Sequence, residues 1–145
     1  PGPGARLMTE HAGKNFPRPT QESQPFWDGC RNGELLLQRC SDCGEHQFYP
    51  RMMCCHCNSD ALAWVRASGH GTVASYTVVR RPVSQAYAAD TPYIVALITL
   101  AEGPTMMSNV IACDPAQVAI GMPVEVTFEQ WSEQLTVPKF RPRRA

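Results

Sequence analysis

The sequence predicts a mainly β protein: a short N-terminal helix or helical hairpin, a ribbon pinned by four cysteines, then a small five-stranded barrel. Three observations predict this. Two Cys-x-x-Cys pairs, Cys40/Cys43 and Cys54/Cys57, stand close together in the first half of the chain. Beyond them run segments dense in β-branched or alternating apolar residues, each bounded by glycine, proline or polar residues. Thirteen prolines and 10 glycines in 145 residues favour short elements with many turns over long helices.

Residues 1–7, Pro-Gly-Pro-Gly-Ala-Arg-Leu, read as a tag remnant, with Met8 as the native start. Residues 8–20 are polar and interrupted by proline, so residues 1–20 are expected to form remnant and mobile arm. Residues 21–33 form the helical segment. Ser23 can cap a helix whose first turn accepts Pro25, and Gly29 to Gly33 end it. Phe26 and Trp27 are too apolar to be left in water. They pack either on the chain's own core or ribbon, or on a partner protein.

Residues 34–67 form the ribbon. Leu35, Leu36 and Leu37 lead into the first knuckle as a strand, residues 46–50 make a hairpin strand and turn, and residues 60–66 close the ribbon with Leu62, Trp64 and Val65. Zinc prefers four soft ligands at tetrahedral corners, and two Cys-x-x-Cys turns supply two thiolates from each side. Gly44 and Asn58 follow the two pairs, and both tolerate the left-handed backbone that tightens such a turn. Cys40, Cys43, Cys54 and Cys57 are therefore read as ligands, and Cys55, which breaks the spacing, as a bystander. A closed four-thiolate site is a structural staple, because a catalytic zinc keeps an open position. Disulfides are the competing use of seven cysteines. The odd number and the lack of a visible signal peptide favour a reduced, cytoplasmic chain.

Residues 68–141 form the barrel. After the turn at Gly69-His70-Gly71, residues 72–80 carry Val73, Thr77, Val78 and Val79 as a strand. Residues 81–91 are a loop. Residues 93–100 are nearly all apolar, which predicts a strand buried on both faces. Residues 105–111 are a third strand and residues 114–118 one helical turn. Residues 124–130 alternate Val124, Val126 and Phe128 with polar residues, the pattern of a half-exposed strand. Residues 135–140 add a fifth, before the basic tail of Arg141, Arg143 and Arg144. A small closed antiparallel barrel removes the free edges of such a set, and the OB-fold is the five-stranded version.

Thirteen basic and 13 acidic residues cancel, so no whole-chain field attracts nucleic acid or an anionic membrane. No apolar run is long enough to span a bilayer. A single-stranded nucleic-acid binder is the alternative that ribbons and OB-folds allow. Against it, Tyr76, Tyr87 and Tyr93 are not interleaved with cations, and Glu125 and Glu129 share one strand. Cys30 and Cys113 have no candidate base near them in sequence, and no nucleophile motif or paired carboxylates appear. Catalysis by the chain alone is therefore not expected, and no catalytic residue is assigned.

The ordered set Phe26-Trp27, Leu35-Leu36-Leu37-Gln38-Arg39-Cys40-x-x-Cys43-Gly44, Tyr49-Pro50-Arg51-x-x-Cys54-x-x-Cys57, Trp64 and Gly69-x-Gly71-x-Val73-x-Ser75-Tyr76-Thr77-Val78-Val79 resembles the DUF35 family. The likeness runs from about Gln21 to Phe140; one departure is Cys55, where many relatives carry proline. The resemblance implies a helical hairpin, a rubredoxin-like zinc ribbon and a C-terminal OB-fold. It also implies an accessory subunit of acyl-CoA metabolism that assembles with thiolase-like or 3-hydroxy-3-methylglutaryl-CoA-synthase-like enzymes and supports an acyl-CoA site. Structural zinc is the implied cofactor and acyl-CoA the implied ligand. The helix with Phe26 and Trp27, together with the ribbon, is expected to form part of the docking face for such an enzyme or for a second copy of the chain.

Overall fold

The computed structural model describes residues 14–144. The remnant at 1–7 and residues 8–13 of the expected arm lie outside the described residues. Lys14 to Thr20 run without regular structure into a turn and then helix α1 (Gln24–Arg31). Eight strands follow. Strands β1 (Leu36–Cys40), β2 (His46–Gln47) and β3 (Leu62–Arg66) form the ribbon. Strands β4 (His70–Val79), β5 (Tyr93–Leu100), β6 (Thr105–Val110), β7 (Pro123–Gln130) and β8 (Thr136–Pro142) form the barrel.

Helix α1 carries Pro25 in its first turn as expected, but the Ser23 side chain does not cap it. Its hydroxyl turns back and accepts the Thr20 amide at 2.8 Å, holding the preceding turn instead. Phe26, Trp27, Gly29 and Cys30 are the buried residues of the helix. Phe26 lies edge-on to Trp27, with ring centroids 4.9 Å apart, and 5.4 Å from Phe48 of the ribbon. Phe26 is 1% exposed and Trp27 8%, so both rings pack within the chain. The helix touches β1 on one side and β7 and β8 on the other, which makes it the joint between ribbon and barrel. Gly29 permits the approach to β1: a Cβ there would stand 2.8 Å from the Leu36 side chain.

The ribbon sheet has order β2-β1-β3, all antiparallel, with Gln38 of β1 opposite Gln47 on one side and Trp64 on the other. The expected strand over 46–50 shortens to two residues. The chain bends away there because the second knuckle must fold back over the first.

The barrel closes in the order β4-β5-β6-β8-β7. Four of its five seams are antiparallel. The fifth, β6 to β8, is parallel and touches at Val110 and Phe140, so the barrel is mixed where the sequence suggested antiparallel throughout. Closure comes from β4, which irregularly shifts register between Val73 and Ser75 and pairs with both β5 and β7. Such a bulge bends a strand enough to serve two neighbours. Strand β5 is buried on one face, not two. Ile94, Ala96, Ile98 and Leu100 point into the core, while Leu97 is 40% exposed. Its apolar outer face therefore lies on the surface. Residues 81–91 contain a 3-10 helix (Gln85–Asp90). The expected helical turn at 114–118 is a plain turn, with Asp114 accepting the amides of Ala116 and Gln117. Val73, Val124 and Phe140 lie at 1% exposure or less in the barrel core.

Candidate functional site

The two knuckles are near copies of each other. Gly44 N–H donates to the Cys40 carbonyl at 2.8 Å, and Asn58 N–H to the Cys54 carbonyl at 2.9 Å. Cys40 N–H reaches Glu45 at 3.0 Å, and Cys54 N–H reaches Ser59 at 2.7 Å. Gly44 at φ 78° and Asn58 at φ 63° take the left-handed turn that brings the chain round. In the second knuckle the His56 amide donates to Cys54 Sγ at 3.3 Å. Hydrogen bonds to a thiolate favour its charged form. Amides of Cys43, and next of Asp42, bring the Cys40 thiol down to about 7. The Ser59 hydroxyl donates to the Asp42 carboxylate and ties one knuckle to the other.

This geometry brings together Cys40, Cys43, Cys54 and Cys57, whose sulfurs all lie within 4.8 Å of one another. Cys40 and Cys57 sulfurs are 3.6 Å apart, as are those of Cys43 and Cys54. Tetrahedral zinc with bonds of about 2.3 Å has sulfur–sulfur edges of about 3.8 Å, so the donor set fits that ion in softness, number and spacing. Cys55 is exposed and outside the cluster; its amide donates to Gln47 Oε1 at 2.8 Å. All seven cysteines are free thiols.

Sequence reasoning missed what lies beneath the knuckles. Gln38 and Gln47 are buried, at 5% and 3% exposure. Gln47 Nε2 donates to Gln38 Oε1 at 2.7 Å. Gln38 then exchanges hydrogen bonds with the Arg51 backbone, donating to its carbonyl and accepting its amide, both at 2.8 Å. The amides thus carry the second knuckle's loop on the β1–β2 pair. The available signal was a glutamine directly after Leu35-Leu36-Leu37, on the strand that leads into the first knuckle.

Cys30 and Cys113 are dampened thiols. Burial pushes Cys30 up to about 12. Burial and then the Asp114 charge raise Cys113, whose thiol donates to the Asp114 carbonyl at 3.4 Å. His56 donates to the His46 carbonyl and His70 meets Arg143, both at exposed positions. Part of the basic tail is engaged on the barrel: Arg141 pairs with Glu125 at 3.1 Å, and Lys139 donates to Asn109.

The barrel carries a cleft of about 1030 Å³ on its outer side. Its walls include Tyr87, Tyr93, Met107, Trp131 and Lys139. Lys14 reaches Asp90 at 2.7 Å there, with Tyr87 and Trp131 rings under its ammonium at 5.7 and 5.6 Å. Phe16 packs on Trp131 at 5.4 Å, so the segment before the helix borders the cleft. Desolvation lowers the Lys139 pKa, partly offset by Glu129.

A closed four-thiolate ribbon joined through one helix to a five-stranded closed barrel defines a zinc-ribbon/OB-fold protein. Family models agree. Residues 27–63 match the ChsH2 rubredoxin-like zinc ribbon domain, and residues 64–129 match the ChsH2 C-terminal OB-fold domain. A DUF35 domain-containing scaffold protein of Methanothermobacter thermautotrophicus is 33% identical over 69% of this chain and 75% of its own length. The chain belongs to the DUF35 family. A chain in the solved structure of the Ltp2-ChsH2(DUF35) aldolase superposes with a TM-score of 0.79 at 33% identity, over 88% of this chain and 98% of that one. The 3-oxo-4,17-pregnadiene-20-carboxyl-CoA hydratase alpha subunit of Mycobacterium tuberculosis is 36% identical over 80% of this chain. A probable enoyl-CoA hydratase alpha subunit of Thermomonospora curvata is 36% identical over 87%. The chain spans only 37% and 40% of those two subunits' lengths. Among the described residues, no helix is long and apolar enough to cross a membrane.

Proposed function

We propose that this chain is a non-catalytic accessory subunit of acyl-CoA metabolism, folded around zinc on Cys40, Cys43, Cys54 and Cys57. Its partner is a thiolase-like or 3-hydroxy-3-methylglutaryl-CoA-synthase-like enzyme. The observation that carries the reading is the match to nearly the whole of a chain in the solved Ltp2-ChsH2(DUF35) aldolase, whose name joins a DUF35 protein to Ltp2. The hydratase alpha subunits, related over a fraction of their length, support the acyl-CoA class.

The docking face is assigned to the ribbon beside α1. Tyr49, Met52 and Met53 stand 42%, 75% and 51% exposed on one short loop. Adjacent exposed apolar side chains mark interaction sites, and flexible methionines suit them. Phe26 and Trp27 support this face from beneath, since the Phe26 ring lies 6.5 Å from that of Tyr49. The barrel faces the acyl-CoA, and the zinc holds the ribbon's shape without taking part in chemistry.

The test is co-purification with a thiolase-like enzyme encoded nearby, followed by acyl-CoA turnover with and without this chain. Complex formation and turnover that needs both proteins are expected. Met52→Asp/Met53→Asp, zinc-loaded and folded, should abolish the complex. Turnover of an acyl-CoA by the isolated chain, lost in Cys30→Ala or Cys113→Ala, would overturn the non-catalytic reading.

A further inference from the structure

Lys14 stands before the helix on a segment without regular structure, yet its side chain is only 6% exposed. A lysine so covered is rare unless its ammonium is paired. Here it is held from three sides. Asp90 Oδ2 lies 2.7 Å from the ammonium, and the Tyr87 and Trp131 ring centroids lie 5.7 and 5.6 Å from it. Both distances are within the reach of a cation over an aromatic face. The next two residues grip the same walls. Asn15 N–H donates to the Tyr87 hydroxyl at 2.9 Å, and Phe16 packs on Trp131. Among the described residues, no backbone-to-backbone hydrogen bond fixes residues 14–19. Residues 14–16 are thus tied to the larger cleft through its side chains, and a stretch tied in this way can lift without breaking a sheet.

The receptor belongs to the barrel and not to the segment. Tyr87 and Asp90 sit on the 3-10 helix, and the Tyr87 ring stands 6.3 Å from that of Tyr93 on β5. Trp131 follows β7 and is oriented by its indole N–H, which donates to Glu129 Oε1 at 2.8 Å. Charge sets what the receptor selects. The charged residues lining the cleft are Lys14, Asp90, Glu129 and Lys139. Lys139 is fixed on β8, donates to Asn109 and has the Glu129 charge to answer it. Without Lys14 the walls hold two carboxylates against one ammonium. The carboxylate left over is Asp90, beside two aromatic rings. A cation gains from both the carboxylate and the ring faces, whereas a neutral group of the same shape gains little from either.

We propose that Tyr87, Asp90 and Trp131 form an ammonium-binding cage, filled by Lys14 of the same chain, so that residues 14–16 are a strap latched across the larger cleft. The ligand class is a primary ammonium on an unbranched alkyl chain. Lifting the strap empties the cage for another such cation and opens the cleft beside Trp131. This rests on the cage and its charges and is independent of the docking partner.

Trypsin reads the latch, because it cleaves after Lys14 only when that side chain leaves the cage. Intact-mass analysis should show the native Lys14–Asn15 bond cut at least about tenfold more slowly than in a free peptide of residues 8–20. Asp90→Asn removes the carboxylate charge and should speed the cut in the protein roughly tenfold. The cage is read separately in 15N-labelled protein. Three tryptophans give three indole signals, and Trp131→Phe identifies that of Trp131 by its loss. n-Butylammonium carries the head and four-carbon stem of lysine. It should move the Trp131 signal in Lys14→Ala and leave it in place in the native protein, where Lys14 holds the cage. n-Butanol, the neutral analogue, should move it in neither. Zinc content and the Trp64 signal report that the variants are folded. Native cleavage as fast as in the peptide, or a rate unchanged in Asp90→Asn, overturns the strap. A Trp131 signal in Lys14→Ala that ignores n-butylammonium, or follows n-butanol equally, overturns the cage, as does an equal response to n-butylammonium in the native protein.

Discussion

Ribbon and barrel are both made of short, mostly antiparallel strands, but they are held together by different means. The ribbon sheet has three strands, one of only two residues, and much of its interior is polar: Gln38, Gln47 and the backbone of Arg51 and Cys55. Its fully buried apolar side chains are few, Leu35 and Leu37 among them, so much of the information for the fold is concentrated in four sulfurs. The barrel has no free edge except near the β6–β8 seam, and its core of Val73, Ile98, Val124 and Phe140 comes from every part of the sheet. Its information is distributed. One substitution can abolish the ribbon, while the barrel should lose stability by degrees.

The largest expected effect tests the concentrated side. Cys43→Ser, or a strong chelator, should release one zinc per chain and unfold the ribbon, because the binding energy of a structural zinc, about 10 kcal/mol or more, is folding energy. Metal analysis and loss of the Trp64 near-ultraviolet signal would report it. A ribbon that stays folded without metal would break the comparison. Next, Phe140→Ala in the barrel should cost about 3–5 kcal/mol by chemical denaturation while leaving the zinc in place.

Cys30 sharpens the comparison at the joint. Its folded thiol titrates at about 12, against an ordinary value of 9.0. Below pH 9 both states hold the proton and there is no effect. Between about 9 and 12 the unfolded chain loses it and the folded chain keeps it, so stability falls as pH rises. The slope is about 1.4 kcal/mol per pH unit, and Cys30→Ala should remove that component from the alkaline limb of the pH–stability curve.

Gln47→Ala should cost about 1–3 kcal/mol, since it removes one of the two donors to the buried Gln38 oxygen and leaves the part-buried Cys55 amide without its partner. The smallest effect is the control. Cys55→Ser should change stability by less than about 0.5 kcal/mol and keep the zinc. In the native protein Cys55 should react with a thiol reagent well before Cys30. If Cys55→Ser lost the metal and Cys54→Ser kept it, the ligand set would be misassigned.

The sequence by itself determined what depends on local spacing. Cys-x-x-Cys followed by Gly44 or Asn58 dictates a knuckle, because the turn and its left-handed residue lie within five positions. The ordered Leu35–Leu37, Cys40 to Cys57, Trp64 and Gly69–Val79 motifs sufficed to place the chain in its family. Alternation in β7 and β-branched density in β4 likewise located strands, since side chains in a strand alternate between faces. Only the tertiary structure decided the rest. An apolar run such as Tyr93–Leu100 looks buried on both faces, but which face meets solvent is set by whether another layer covers it, and none of the described elements covers Leu97. The Ser23 hydroxyl had two backbone neighbours within reach, and the approach of α1 to β1 and β8 chose between them. The parallel β6–β8 contact and the stacking of Phe26 on Phe48 join residues far apart in the chain. Closing such contacts is a global packing outcome, determined by how helix, ribbon and barrel fit at once, and no local pattern encodes it.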